Sequence, residues 1–275
     1  MSAITPSPGI LKAYDGRPRN RWKAVVSFAV VAAALLWSAL NIEFRGVTSR
    51  GSEAGYGILH GIFNPDTKVL LDTSATGVAY LLFETAAIAL LGTLFGGVLA
   101  IPFAFLSSHK IVPKPVAFLA RSLVMMVRTI PSLVWALIWI RVTGPGPLCG
   151  VVTQSVVSIG MISRMYMTAI DDVDTRILES LDAMGCTRLQ KIRYGILPQL
   201  SANMVSTLIY RFDINIKDAT TLGVVGAGGI GAVLIQALST RRWGIAGAFL
   251  TGMILLMLVI EYFSTRMRRR LAQGV

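Results

Sequence analysis

The chain has 275 residues, of which 54% are apolar, only 15% are charged and 26 are glycine. Soluble domains carry roughly 25% charged residues, so this composition excludes an ordinary soluble globule, and its hydrophobicity excludes disorder. The 26 Lys and Arg against 14 Asp and Glu leave a net charge of +12; a nucleic-acid partner would need that charge on a solvated face, whereas here it lies between long apolar runs.

In chain order, the first segment, residues 1–23, is basic, with Lys12, Arg17, Arg19, Arg21 and Lys23 against Asp15. A bilayer core takes about 20 apolar residues per helix. Runs of that kind occupy 24–40, 79–106, 116–142, 148–168, 202 to about 216, and 243–263, which predicts six spans. The first run has 17 residues and no small-residue cleavage site after it, longer than the usual 7 to 15 of a signal peptide, so it reads as a retained anchor. The second and third are longer than a span needs and contain Pro102 and Pro131, where a tilt or kink is expected. The fifth is interrupted by Arg211 and Asp213.

Basic flanks stay in the cytoplasm. The N-terminal segment and the tail at 266–275, with Arg266, Arg268, Arg269 and Arg270, therefore both lie inside, and six spans satisfy that parity. Lys110, Lys114 and the segment 169–200, with Arg176, Arg188, Lys191 and Arg193, fall inside as well. The outer loop after the first span is nearly balanced, Arg45, Arg50 and Lys68 facing Glu43, Glu53, Asp66 and Asp72. The fold class is all-α and polytopic: residues 24–78 hold the first span and outer loop, and 79–265 the core membrane domain. Cys149 and Cys186 form no metal or redox spacing and fall on opposite sides of the membrane, and His60 and His109 lie outside any HExxH motif.

The inner segment reads Asp171-Asp172-Val173-Asp174-Thr175-Arg176-Ile177-Leu178-Glu179-Ser180-Leu181-Asp182-Ala183-Met184-Gly185. Acids suit a helix N-terminus, and Gly185 suits a helix end. Ile177, Leu178, Leu181 and Met184 make one apolar stripe. Leu189, Ile192 and Ile196 continue helically toward Pro198, which is expected to open span five. An exposed apolar stripe on such a helix either packs on its own chain or docks in a partner's groove.

Glu179, Gly185, Leu197 and Pro198 resemble the loop motif of ABC-importer permeases, with Pro198 thirteen residues after Gly185. Ser180-Leu181 stand where Ala-Ala is usual and Gly195 where Ile is usual. Arg128-Thr129-Ile130-Pro131-Ser132-Leu133-Val134-Trp135-Ala136-Leu137 resembles the third-span signature of phosphonate importer permeases, with Ser132 in place of an acid. Gly144-Pro145-Gly146-Pro147 resembles the turn into span four. The stretch from Tyr210 to Lys217, running into Leu222-Gly223-Val224-Val225-Gly226-Ala227-Gly228-Gly229-Ile230-Gly231, is the most specific match.

The resemblance implies a type I ABC-importer permease fold in the cell membrane, translocating phosphonate or a related phosphorus oxyanion by alternating access. It implies that Ile177, Leu178, Glu179, Leu181, Asp182, Ala183, Met184 and Gly185 form a coupling helix seated in a separate ATPase subunit. The chain carries no GxxxxGK[ST] loop, so ATP and Mg belong to that partner and this chain holds no cofactor or metal. A second permease chain, like or unlike this one, two ATPase subunits and an extracytoplasmic binding protein complete the expected assembly, with no nucleic acid. The alternatives are a permease for methionine or another small solute, or an intramembrane enzyme, for which scattered acids and two loop histidines are a poor basis.

Gly226-x-Gly228-x-x-Gly231 satisfies GxGxxG but lacks the preceding strand and distal acid of a nucleotide site. Glycines here serve helix packing or a re-entrant turn along the route, so 219–242 is read as non-spanning, with Gly226, Gly228 and Gly229 as path candidates. Ionisable residues inside the bilayer are functional candidates. Arg128 sits roughly 18 Å along a helix from Val116, Pro131 follows it, and Arg211, Asp213 and Lys217 reach into span five. Asp213 and Lys217 have the spacing of a helical ion pair, Arg121 and Arg164 lie within snorkelling reach of the cytoplasmic face, and Glu84 is expected to counter one of the arginines.

Overall fold

The computed structural model describes residues 21–41 and 49–273. The basic residues Lys12, Arg17 and Arg19 with Asp15, and Glu43 and Arg45, lie outside the described residues, as do the side chains of Arg21, Arg50 and Arg188. The described residues are helical, with no strand among them. The chain forms two compact units, divided between Ser52 and Glu53. In the first, helix α1 (Arg21–Asn41) exposes large apolar side chains such as Phe28, Leu35 and Trp37, the pattern of a helix whose solvent is lipid.

The second unit begins within α2 (Ser49–Phe63), in the stretch read from sequence as an outer loop. Gly57 lets this helix lie against the Trp243 indole, where a β-carbon would come within 2.6 Å of Cε2. A single turn at Thr67–Leu70, capped by the Asp66 carboxylate, leads to α3 (Val78–Ser107). Then follow α4 (Lys114–Thr129), α5 (Ser132–Thr143), α6 (Pro147–Asp171), α7 (Thr175–Ala183), α8 (Leu197–Gly223), α9 (Ile230–Ser239) and α10 (Trp243–Gln273).

The scaffold is α3 on α6, two parallel helices packed face to face. The seam is made of small residues. A β-carbon on Gly96 would stand 2.5 Å from Ser158 Cβ and 2.8 Å from Ser155 O, so only glycine permits this approach. Gly92 meets Gln154 in the same way one turn earlier. Toward the α7 end, Ala100, Ala104, Ile162, Tyr166 and Ile170 form a buried core with Ile196 and Leu200; at the opposite end Val78, Leu81, Ile230 and Phe249 form a second. Outward faces keep large apolar chains such as Phe83, Val98 and Leu258, where lipid rather than water surrounds the chain.

Three helices, α3, α6 and α10, are long and apolar enough to cross a bilayer by themselves. The run 116–142, expected as one span with a tilt or kink, is two helices at 87°. Pro131 has no N–H to give and its ring crowds the preceding turn, while Ile130 before it is driven into extended backbone, φ −86°, ψ 122°. The broken turn leaves carbonyls without helical partners, and Trp135 Nε1 reaches back 3.3 Å to Val127 O. Both halves pack on α6, with Arg128 over Gly160 and Cys149 Sγ 3.6 Å from Ala136 O, so the chain keeps advancing across the bend. By contrast α3 runs on through Pro102. The fifth run, expected over 202–216, is a 27-residue helix, and Pro198 does stand in its first turn.

Candidate functional site

The segment after α6 builds the expected amphipathic helix, with a different division of its acids. Asp171 ends α6 and accepts hydrogen bonds from Ser108 Oγ at 2.7 Å and Arg121 Nη2 at 3.1 Å. Asp174 alone caps α7, accepting from Arg176 N at 2.9 Å. The Arg176 guanidinium and amide, with Lys110 nearby, hold the Asp174 carboxyl below its ordinary range. Gly185 closes the helix with φ +75°, a left-handed turn suited to glycine.

The apolar stripe of α7 divides into two. Leu178 and Leu181 turn inward onto Gly195, where a β-carbon would lie 2.7 Å from Leu181 Cδ1 and 3.3 Å from Leu178 Cδ2. The glycine standing where isoleucine is usual is therefore the seat of the helix. Met184 is 69% exposed and Ile177 40%, and both remain outside. Between Arg188–Gln190 and α8 the chain makes a π-helical turn, Lys191–Ile196, a wide turn common at functional positions. Lys191 pairs with Asp182 across it. Glu179 and Ala183 are exposed on the opposite face.

Inside the bundle, α3, α6 and α8 share a buried polar cluster. Asn215, fully buried, donates from Nδ2 to Thr93 Oγ1 at 2.8 Å and Ser158 Oγ at 2.9 Å, and its backbone carbonyl accepts from Gln154 Nε2 at 2.7 Å. Arg211, 3% exposed, donates from Nε to Ser158 Oγ at 3.0 Å and holds Nη2 3.8 Å from Asp218 Oδ2. Asp218 was missed in the sequence because it lies beyond the expected end of span five. Lys217 Nζ stands 3.3 Å from Asp213 Oδ2, at the helical spacing.

Among the described residues Glu84 counters no arginine. Its Oε1 accepts from Gly229 N at 3.0 Å, beside Thr85 Oγ1, which accepts from Ile230 N at 3.0 Å. Two side chains of α3 thus cap the N-terminus of α9, where the helix dipole favours a carboxylate. Gly228 and Gly229 have φ of +83° and +74°, and the loop leans so closely on Pro147 that a β-carbon at Gly228 would be 2.7 Å from its Cα. The GxGxxG amides therefore already hold an acid where a phosphate would bind. Gly226 accepts from Gly146 N at 2.9 Å, tying the loop to the turn before α6. Residues 219–242 comprise the end of α8, this loop and the ten-residue α9, which at about 1.5 Å per residue is too short to cross.

Arg128 is exposed along a cleft of about 500 Å³ between α4 and α6, with its Cγ laid on Gly160. Among the described residues no carboxylate pairs with it. Arg164, read from sequence as a snorkelling residue, lines the same cleft.

A bundle of long apolar helices with a bent pair, a buried polar seam and an amphipathic helix projecting at one end defines the class as a polytopic helical membrane protein. Residues 92–275 match the family model described as binding-protein-dependent transport system inner membrane component, and the chain belongs to that family. It is 30% identical over 189 residues to the phosphate-import permease protein PhnE of Mycolicibacterium smegmatis, covering 68% of this chain and 36% of that protein. It therefore spans little more than a third of that relative's length. It is 28% identical to the putative phosphite transport system permease protein HtxC of Stutzerimonas stutzeri, covering 92% and 87% of the two chains. The phosphite transport system permease protein PtxC of the same organism is 31% identical over 68% of this chain and 69% of its own. Among solved structures, the MetNI methionine ABC transporter in inward-facing conformations superposes with TM-score 0.62 at 22% identity, covering 70% of this chain and 95% of that one. An importer of the acidic polysaccharide alginate gives 0.61 at 18%, over 92% and 99%. The fold is thus that of ABC-importer permeases, and the chain is a multi-pass inner-membrane component of such a system. Family and fold imply a second permease, ATPase subunits and a substrate-binding protein as partners.

Proposed function

We propose that this permease translocates a phosphorus oxyanion, phosphonate or phosphite, by alternating access between two permease chains. The observation that carries the reading is Arg128, a guanidinium part-way along the membrane helices with no carboxylate partner among the described residues. An unpaired intramembrane charge is expensive unless it faces water or a counter-ion, and an anion in transit is such a counter-ion, held weakly enough to leave. The likeness to phosphate-import and phosphite transport permeases supports the same chemistry. Of the other path candidates, Arg211, Asp213 and Lys217 hold partners within α6 and α8, while Pro131 sets the bend and Gly226, Gly228 and Gly229 shape the loop against the turn before α6.

In this reading the chain makes six spans with both termini cytoplasmic. The helix from Ile177 to Gly185 seats in one of two ATPase subunits, which hold ATP and Mg. Nucleotide closure moves α7 as a lever, and the two permeases rock between inward and outward access. The two permeases are copies of this chain or close relatives. The test is ATPase stimulation of the reconstituted complex with its binding protein, across phosphonates, phosphite, phosphate and methionine. Stimulation by the phosphorus oxyanions is the expected result, and stimulation by methionine alone would overturn it.

A further inference from the structure

The cleft between α4 and α6 carries a graded series of charges. On α6, Gly160, Arg164 and Asp171 follow at i, i+4 and i+11, one stripe of the helix; on α4, Arg121 and Arg128 are two turns apart. The two stripes face each other, because Arg128 lies over Gly160 at one end and Arg121 Nη2 meets Asp171 Oδ2 at 3.1 Å at the other. Three arginines and one carboxylate therefore line or close the same cleft, and the carboxylate stands only at the α7 end. Arg121 is already paired, giving Nε to Ser107 O at 2.7 Å and Nη2 to Asp171. Arg128 and Arg164 donate no side-chain hydrogen bond to any described residue, so each keeps its full fork of N–H donors. Along α6 the rise is about 6 Å from Gly160 to Arg164 and about 10 Å from Arg164 to Asp171.

Two like charges left unpaired in one cleft raise each other's cost, and an anion between them removes it. A tetrahedral oxyanion matches the guanidinium fork by paired hydrogen bonds. We infer that this cleft is the inward half of the anion route. A phosphorus oxyanion passes from Arg128 to Arg164, and is let go where Asp171 has already neutralised Arg121. Arg164 is thus a substrate-binding residue. This inference rests on the oxyanion reading above; the phosphate of an anionic lipid headgroup is the other source of the same chemistry.

The test uses the complete transporter with its binding protein, reconstituted in neutral phosphatidylcholine and, separately, with added phosphatidylglycerol. Uptake of methylphosphonate and of phosphite is measured for the wild type, Arg164→Gln and Arg164→Lys. Expected in both lipids is a loss of about tenfold or more in Arg164→Gln, the effect of losing one charge-assisted contact, with most uptake retained in Arg164→Lys. If the wild type takes up neither anion, the oxyanion reading falls and this inference with it. If the wild type transports and Arg164→Gln matches it, only the assignment of Arg164 falls. A loss seen only with phosphatidylglycerol present gives the site to lipid headgroups and also overturns the inference.

Discussion

Arg211 and Arg128 meet α6 within two residues of each other, at Ser158 and Gly160, on opposite faces of that helix. Arg211 is enclosed by Ser158, Met161 and Asp218 and is 3% exposed. Arg128 lies open in its cleft with no partner among the described residues. The same side chain at neighbouring levels thus serves structure in one case and remains free for an anion in the other. What separates them is what surrounds each guanidinium: α6 brings Ser158 and Met161 to Arg211 and α8 itself adds Asp218, whereas the bend at Pro131 ends α4 one residue after Arg128, whose guanidinium lies along the open cleft. A buried charge persists when it is paired, and an unpaired one marks a place that something else fills.

Helix α7, proposed above as the lever between permease and ATPase, repeats the contrast on one element, and its disruption should give the largest effect. Leu181 packs on Gly195 while Met184 is open, so Met184→Asp should remove co-purification with the ATPase and ATP-driven uptake while leaving the permease's thermal stability near wild type. Leu181→Asp should lose both. Retained association in Met184→Asp would mean that the exposed part of the stripe docks nowhere. Next in size, Arg128→Gln should lower uptake by about tenfold with little change in melting temperature. Arg211→Gln should do the reverse, costing stability on the order of 1–3 kcal/mol as Asp218 loses its counter-charge; equal uptake in wild type and Arg128→Gln would erase the distinction between the two arginines. The smallest effect should come from pH. Because the Asp174 carboxyl is held below its ordinary range, its contribution to capping α7 is present in full above that range and is lost as pH falls through the lowered value. Amide exchange along α7 should accelerate only in acid, and Asp174→Asn, which keeps a capping side chain, should flatten that dependence.

Much of the site could be read in the residues before any fold was known. The helix from Thr175 to Ala183 follows from its apolar spacing, its capping acid and Gly185, all local features. The Asp213–Lys217 pair follows from helical geometry alone. Glu84 shows where such reading stops: an acid in an apolar run suggests a charge partner, yet its partner is the Gly229 backbone amide 145 positions away. Arg164 shows the same limit. Its position near a span end suggests snorkelling, and only the packing of α4 on α6 places it beside Arg128 in one cleft.

The sequence by itself determined that the chain is a helical membrane protein, where its apolar runs lie and which short helix projects from them, because these depend on composition and on contacts a few residues apart. Tertiary structure alone decided which charges are satisfied, where glycine admits a neighbour, and that the third run advances through a right-angled bend. The physical reason is that these outcomes depend on pairings between α3, α4, α6 and α8 over tens of residues. In the low dielectric of a membrane, it is the partner across such a pairing that fixes whether a charged side chain is buried structure or an open site.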